Sequence, residues 1–189
     1  MEIHINEITD SELAQRLRNG DIAAGGKLYE RYKRNIYFFV VQYVKDEEAA
    51  KDIVQQTFMV MIEKISTLQH DVTFKQWLFT IARNESLMIL RRKNIVPMEG
   101  LESAEENIFD VETPHTIAEQ SETKELVYSA IGYLKPAYRE VVLLRLFEQL
   151  SYEEIAVITN TTVSAVKSKL YKARIILAEK LSPYLKKEK

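Results

Sequence analysis

The stretch SYEEIAVITNTTVSAVKSKLYKAR, residues 151–174, predicts two short helices joined by a tight turn. Ser151 and Glu154 stand three residues apart as a capping box, so the first helix is expected over about 151–158. Asn160 falls in the break, and asparagine is among the few residue types other than glycine that tolerate a left-handed backbone. Thr162 can cap the second helix. This spacing is typical of a helix-turn-helix.

The second helix has one apolar and one polar face. Ala156 is small enough for the two helices to approach, and Val166 and Leu170 anchor the second helix from beneath. The other face carries hydroxyl and cationic side chains, which contact base edges and phosphates when a helix enters the major groove. The candidate DNA-contacting residues are Thr162, Ser164, Lys167, Ser168, Lys169, Tyr171, Lys172 and Arg174. The alternative is a solvated basic helix, which we favour for Lys180, Lys186, Lys187 and Lys189.

The rest of the chain also predicts helices. No Asn-Gly or Asp-Gly hairpin turn occurs, and apolar residues recur every three or four positions. Thr9 and Glu12 form another capping box, at the start of the first helix. In the first half, helices are expected over Ser11 to Asn19, Ile22 to Asp46, Glu47 to Ile65 and Phe74 to Arg92, the last with Trp77 and Met88 facing inward. In the second half they are expected over 124–133, 136–147, 151–158 and 163–180.

Charge divides the chain into three parts. Residues 1–93 are nearly neutral, residues 94–122 carry eight acidic and no basic side chains, and residues 123–189 carry 12 Lys and Arg against 7 Asp and Glu. The acidic part contains Pro97 and Pro114 and has weak periodicity, which predicts an extended linker. The fold class is therefore all-α, with two small helical domains over 1–93 and 123–189. On composition alone, the linker could be a solubilising acidic spacer.

Composition excludes several classes of function. The chain has no cysteine, which rules out disulfide scaffolds, thiol catalysis and Cys-ligated metal, and favours the cytoplasm. Its apolar runs are too short for a membrane helix, so neither insertion nor export is expected. His4, His70 and His115 are scattered, and neither a phosphate-binding glycine loop nor an acid–base pair at motif spacing occurs. An enzyme, a metal or a cofactor is not expected.

Motifs along nearly the whole chain resemble the extracytoplasmic-function (ECF) group of sigma-70 RNA polymerase sigma factors. Residues 28–32 (LYERY) resemble the start of region 2, and residues 48–58 (EAAKDIVQQTF) are similar to its polymerase-binding segment. Residues 74–84 (FKQWLFTIARN), closing in Arg91-Arg92-Lys93, resemble the helix that engages the melted −10 element. Residues 134–141 (LKPAYREV) with 151–174 look like region 4, which reads the −35 element.

The resemblance implies a removable specificity subunit of bacterial core RNA polymerase that catalyses nothing itself. It implies polymerase contacts by Asp52, Gln55, Gln56 and Phe58. It implies that single-stranded −10 DNA is held by Gln69, His70, Arg83, Asn84, Arg91, Arg92 and Lys93, since phosphates need cations and an extruded base needs a pocket. An anti-sigma partner is also implied. The acidic linker could then lie in the positively charged nucleic-acid channel of the enzyme.

One four-residue stretch and one single residue depart from the family pattern, and one other class of protein stays open. Residues 159–162 read Thr-Asn-Thr-Thr, where the family usually has Leu-Gly-Ile/Val-Ser, and Met88 stands where a polar residue is common. Trp77 could be a base-stacking platform, but its alignment with Phe74 and Ile81 favours core packing. The open alternative is a helix-turn-helix repressor or activator that binds duplex DNA alone, usually as a dimer.

Overall fold

The N-terminal module consists of four helices. The computed structural model describes residues 8–44, 46–69, 72–92 and 122–185, and all the regular structure in these ranges is helical. A three-residue 3₁₀ turn, Ile65–Thr67, follows the third helix. The helices of this module are α1 (Asp10–Arg18), α2 (Ile22–Val44), α3 (Glu47–Lys64) and α4 (Phe74–Arg92). Each lies within two residues of the bounds expected from the sequence.

Side-chain caps explain where two of these helices begin. The Thr9 hydroxyl accepts a hydrogen bond from the Glu12 backbone N–H at 3.2 Å, and the Glu12 carboxylate accepts one from the Thr9 N–H at 2.8 Å. The predicted capping box is therefore confirmed. Asp46 caps α3 by accepting a hydrogen bond from the Ala49 N–H at 3.0 Å. These contacts satisfy backbone donors that have no partner inside the helix.

Aromatic and aliphatic side chains from α2, α3 and α4 fill the core of the N-terminal module. Phe39 and Phe79 are almost fully buried and meet edge to face, with ring centroids 5.3 Å apart. Trp77 packs partly buried against this core, 6.1 Å from the Phe74 ring centroid, which agrees with core packing. The prediction that Met88 faces inward is wrong, because 38% of this residue is exposed.

The C-terminal module contains the other four helices. The expected helix over 136–147 is interrupted, because Leu143–Phe147 forms a five-residue π turn. The last helix runs beyond the expected residue 180 and accommodates Pro183. The helices are α5 (Glu122–Gly132), α6 (Pro136–Val142), α7 (Tyr152–Thr159) and α8 (Val163–Leu185).

The turn between α7 and α8 has the backbone conformation that the sequence predicts. Asn160 lies in the left-handed region, with φ 51° and ψ 52°. The Thr161 N–H donates to the Ala156 carbonyl at 2.9 Å, which closes the end of α7. Thr162 then caps α8 by accepting a hydrogen bond from the Ala165 N–H at 3.1 Å. A helix-turn-helix therefore forms without the glycine that usually occupies this turn.

The left-handed backbone at Asn160 predicts which side chains this position accepts. We expect Asn160→Val to lower the free energy of unfolding by roughly 1–2 kcal/mol, since a β-branched side chain clashes in this conformation. Asn160→Gly should not destabilise, because glycine has no Cβ. Thr161→Val is the matched control, since Thr161 does not have a positive φ. Urea unfolding of the three variants measures the difference, and equal losses from both valine substitutions would contradict the assignment.

The two modules pack directly against each other. Phe38 of α2 lies 5.0 Å from Tyr128 of α5 and 5.2 Å from Phe147, measured between ring centroids. Buried residues of both modules belong to one continuous apolar core, and α4 packs on α7. The sequence predicts the two modules but not this contact. In the described ranges, every helix is too short or too polar to cross a membrane.

Candidate functional site

The helix-turn-helix presents the polar face of α8 to solvent. Val166 and Ala173 are fully buried and fix the orientation of the helix on α6 and α7. Lys169 is partly buried, and Thr162 serves as the cap. The other predicted DNA-contacting residues are all exposed: Ser164, Lys167, Ser168, Tyr171, Lys172 and Arg174. The structure therefore brings hydroxyl and cationic groups together on one accessible helix face, as the sequence predicts.

The ring of Tyr152 makes cation–π contacts at the edge of this face. Two cations lie close to the Tyr152 ring, with Lys167 Nζ at 5.7 Å and the Arg145 guanidinium carbon at 4.9 Å from its centroid. The negative face of an aromatic ring attracts cations at such distances. Tyr152 begins α7, so this contact connects both helices of the motif.

The start of α7 is fixed by Glu154, whose carboxylate accepts two hydrogen bonds and whose backbone N–H donates a third. Glu154 accepts from the Ser151 N–H at 2.8 Å, and its own N–H donates to the Ser151 hydroxyl at 3.1 Å. Thr73 of the N-terminal module donates to the same carboxylate at 2.8 Å. Partial burial raises the pKa of Glu154, but the hydrogen bonds from Ser151 and Thr73 outweigh it and leave that pKa below its usual value. Glu154 is therefore an anion at neutral pH.

The predicted −10 residues that the structure describes divide into an exposed group and one largely buried residue, Arg83. Asn84, Arg91 and Arg92 are exposed, and Met88 lies one turn from Asn84 on the same side. Gln69 is also exposed, just before the start of α4. His70 and Lys93 lie outside the described residues. The exposed set forms a basic and amide-bearing surface that suits phosphates and unpaired bases.

Arg83 is placed differently from the other predicted −10 residues. Only 12% of its side chain is exposed, and its Nε lies 2.5 Å from Oε1 of Glu140 in α6. Burial lowers the pKa of Arg83, but the Glu140 carboxylate outweighs this and raises that pKa above its usual value. Tyr43 donates to the same carboxylate, and its burial and the Glu140 charge raise the pKa of the phenol. In this structure, Arg83 is therefore paired within the protein.

One face of α3 is exposed and carries both polar and apolar side chains. Asp52, Gln55 and Gln56 lie there as expected, whereas Phe58 is 5% exposed and packs edge-on against Tyr29 at 4.8 Å. Phe58 is therefore a core residue that positions this helix. Met59 and Ile62, which the sequence did not indicate as part of this face, are 48% and 45% exposed on the same side. On the helical period, Met59 and Ile62 fall outside the stripe of buried residues of α3. This offset could have identified them as exposed.

Two further features of the described residues bear on metal and small-molecule binding. Within these ranges, no three His, Asp or Glu side chains are grouped closely enough to bind a metal ion. A small cleft lies between the modules and is lined by Gln42, Tyr43, Pro136, Arg139, Glu140 and Leu143. Its lining belongs to the contact between the modules.

Together these features define a two-module helical DNA-binding protein with a helix-turn-helix and a further exposed helix face. The description "Sigma-70 region 2" matches residues 28–95, and "Sigma-70, region 4" matches residues 124–177. These matches cover more than half of the chain, and they occur in the order that the sequence analysis expects. The chain belongs to the sigma-70 family of RNA polymerase sigma factors, in its ECF group.

Individual relatives agree with this assignment over almost the full length. The RNA polymerase sigma-H factor of Pseudomonas aeruginosa is 29% identical, with 94% of this chain and 96% of that protein covered. The ECF RNA polymerase sigma-E factor of Haemophilus influenzae is 28% identical, with 95% and 98% covered.

Two solved structures share the fold. CnrH, in complex with the cytosolic domain of CnrY, superposes with a TM-score of 0.66 at 23% identity, covering 95% of this chain and 99% of that chain. The sigma factor RpoE of Bartonella quintana, in complex with the anti-sigma factor NepR, superposes with a TM-score of 0.63 at 24% identity, covering 83% and 96%.

Proposed function

We propose that this chain binds bacterial core RNA polymerase and directs initiation at promoters with separate −10 and −35 elements. The exposed polar face of α8, held by the left-handed turn at Asn160, is the observation that carries the proposal. The polymerase catalyses RNA synthesis, so the chain itself needs no catalytic residue and no cofactor. Its place of action is the cytoplasm, where bacterial polymerase and the chromosome are.

The C-terminal module, residues 123–189 of the chain, is assigned to duplex DNA at the −35 element. A helix of the size of α8 fits the major groove, with Ser164 and Ser168 able to reach base edges. Lys167 and Lys172 supply cations for the phosphates on either side. Because α8 is anchored by buried residues along its other face, these groups would approach DNA as a rigid set.

The N-terminal module, residues 1–93, is assigned to the melted −10 element and to the polymerase. The exposed surface of Asn84, Arg91 and Arg92 suits a single strand, and Lys93 follows it directly in sequence. His70 is assigned to the same element together with the exposed Gln69 that precedes it. Arg83 would join this surface once its pairing with Glu140 is released. The face of α3 with Asp52, Gln55 and Gln56 is assigned to a helical part of the largest polymerase subunits.

Two further assignments follow from the family. RpoE of Bartonella quintana, which shares this fold, was solved in complex with the anti-sigma factor NepR, and we propose an anti-sigma partner for this chain as well. Residues 94–122 carry eight acidic side chains and lie between the two DNA-contacting modules in sequence. We assign this linker to the positively charged nucleic-acid channel of the polymerase, where a negatively charged segment is attracted.

A reconstituted transcription experiment tests the proposal. The purified chain is combined with bacterial core polymerase and a promoter library, and transcripts that require the chain are sequenced. Transcription from a shared pair of spaced motifs is the expected result. Failure to form a holoenzyme, or tight binding of the chain alone as a dimer to duplex DNA, would overturn it and favour a conventional helix-turn-helix regulator.

The face of α3 gives a prediction for polymerase affinity. Met59→Asp places a charge beside Gln55 and Gln56 on this exposed surface, and we expect the affinity for core polymerase to fall at least about tenfold, as for loss of a central interface residue. Met88→Asp makes the same change at an exposed position of α4 and should leave polymerase affinity unchanged. Titration of labelled chain with core polymerase measures both. Equal affinities of the two variants would place the polymerase contact elsewhere.

A further inference from the structure

Tyr152 is held in a fixed position at the start of α7. Its ring is partly buried and packs against the apolar core. The residue before it, Ser151, forms the capping box with Glu154 that begins the helix. A tyrosine side chain has only two torsion angles, so little conformational freedom is left to a ring that is packed in this way. Tyr152 is therefore a rigid platform at the edge of the helix-turn-helix.

Arg145 is fixed at this ring by a second contact. Its guanidinium carbon lies 4.9 Å from the Tyr152 ring centroid, and its Nη1 donates to the Leu150 carbonyl at 2.7 Å. The hydrogen bond ties the guanidinium to the backbone just before α7. One cation at the ring is therefore held by the structure itself.

Lys167 has more freedom than Arg145. Its side chain is exposed in the second turn of α8, and its Nζ lies 5.7 Å from the Tyr152 ring centroid. A free lysine side chain adopts many conformers, and ordering it on binding costs entropy. Contact with a rigid ring narrows the range of conformers before DNA arrives, so less entropy is lost in the complex.

An aromatic ring holds a cation without neutralising it. A carboxylate partner would cancel the charge of Lys167 and compete with a phosphate for the ammonium N–H groups, whereas a ring attracts the cation through its quadrupole and carries no net charge. Among the residues that the structure describes, neither Lys167 nor Arg145 has a carboxylate partner. The nearby carboxylate of Glu154 accepts hydrogen bonds from Ser151 and Thr73 instead.

The Tyr152 ring gathers two positive charges at the edge of the polar face of α8. The charges of Lys167 and Arg145 repel each other, and a bound anion relieves that repulsion. Phosphates are the anions that a helix meets in the major groove of DNA. Lys172 is exposed on the same face, and within the described ranges no aromatic ring holds it in this way. Lys167 is therefore oriented before binding and Lys172 is not.

We infer that Tyr152 is a positioning residue for DNA binding, whose ring holds the Lys167 ammonium ready for a backbone phosphate at the −35 element. The inference rests on the proposed function. Tyr152 acts through Lys167, so its ring is required for this role and its hydroxyl is not.

Binding of the holoenzyme to the selected promoter tests this role. Tyr152→Leu should weaken binding about two- to fivefold, which corresponds to the loss of an exposed cation–π contact. Tyr152→Phe keeps the ring and should bind as tightly as the unaltered chain. In a Lys167→Ala background, Tyr152→Leu should cause no further loss, whereas in a Lys172→Ala background it should cause its full loss.

Tyr133→Leu is the matched control. It removes a cation–π contact of the same kind, since Lys180 Nζ lies 4.7 Å from the Tyr133 ring centroid, but outside the residues predicted to contact DNA. Promoter affinity should therefore stay unchanged, and circular dichroism checks that every variant remains helical. A loss from Tyr152→Leu that persists without Lys167 would overturn the inference, because Tyr152 would then act through the fold. An equal loss from Tyr152→Phe would also overturn it, because the hydroxyl would then be the contact.

Fluorination of the ring provides a second measurement that preserves the shape of the side chain. Phenylalanine analogues with increasing fluorination at position 152 withdraw electrons from the ring face, and promoter affinity should fall stepwise towards that of Tyr152→Leu. Unchanged affinity across this series would overturn the positioning role while leaving the proposed function intact. Absence of promoter binding by the unaltered holoenzyme would instead remove the proposed function, and the inference with it.

Discussion

Arg139→Met is expected to lower the free energy of unfolding by about 3–5 kcal/mol, as removal of a buried hydrogen-bonded charge usually does. Arg139 is 3% exposed and donates to the carbonyls of Gly132, Leu134, Ile131 and Gln42 at 2.6, 3.0, 3.3 and 3.2 Å. The first three carbonyls belong to the C-terminal end of α5 and to the turn that follows it. Each buried carbonyl left without a donor costs roughly 1–3 kcal/mol, and local relaxation recovers part of the total.

Two further variants test whether the loss of stability in Arg139→Met comes from its missing hydrogen bonds. Arg139→Lys keeps a cation but lacks the planar fork of donors, so it should recover only part of the stability. Arg145→Met removes a half-buried arginine from the same module, with its 2.7 Å hydrogen bond to the Leu150 carbonyl, and should cost about 1 kcal/mol. Urea unfolding followed by circular dichroism gives all three values. Similar losses for Arg139→Met and Arg145→Met would show that the Arg139 hydrogen bonds do not hold the turn.

Burial also affects the ionisation of Arg139. It lowers the pKa of the guanidinium to about 10, which is still well above neutral pH. The side chain therefore remains a cation under ordinary conditions, and the four carbonyl dipoles face a full positive charge. This explains why an arginine can occupy an almost fully buried position here.

Joint replacement of Lys167 and Lys172 by alanine is expected to weaken −35 duplex binding roughly 30-fold at about 0.15 M salt. Both side chains are exposed on the polar face of α8. If each neutralises one phosphate, the slope of log affinity against log salt should become shallower by about 1.8, since each contact releases condensed counterions. The measurement is binding of the holoenzyme to the selected promoter over a range of salt concentrations.

Lys180→Ala provides the control on the same helix. Lys180 lies beyond the residues predicted to contact DNA, with its Nζ 4.7 Å from the Tyr133 ring centroid, and its loss should leave the salt slope unchanged. A slope that stays the same after replacement of Lys167 and Lys172 would show that α8 does not contact the phosphates. Thermal unfolding of each variant separates loss of contact from loss of structure.

Local sequence signals were sufficient for most of the helices and for the exposed polar face of α8. The capping boxes of Thr9 with Glu12 and of Ser151 with Glu154 mark helix starts that the structure reproduces. The helical period placed Lys167 and Lys172 on the exposed side of α8, away from the buried Val166. It failed for Met88, because an apolar residue at the edge of the buried stripe can lie on either side. No local sequence signal predicted the π turn at Leu143–Phe147, where a continuous helix was expected.

The sequence by itself determined an all-α chain, the bounds of its helices within a few residues and the composition of each exposed face. These properties follow from residues close together in the chain, through capping, periodicity and the left-handed preference of Asn160. Only the tertiary structure decided that Arg83 pairs with Glu140 and that Lys75 pairs with Glu148. Partners separated by 57 and 73 positions meet through the packing of two modules, and no local pattern specifies which buried carboxylate a given cation will meet.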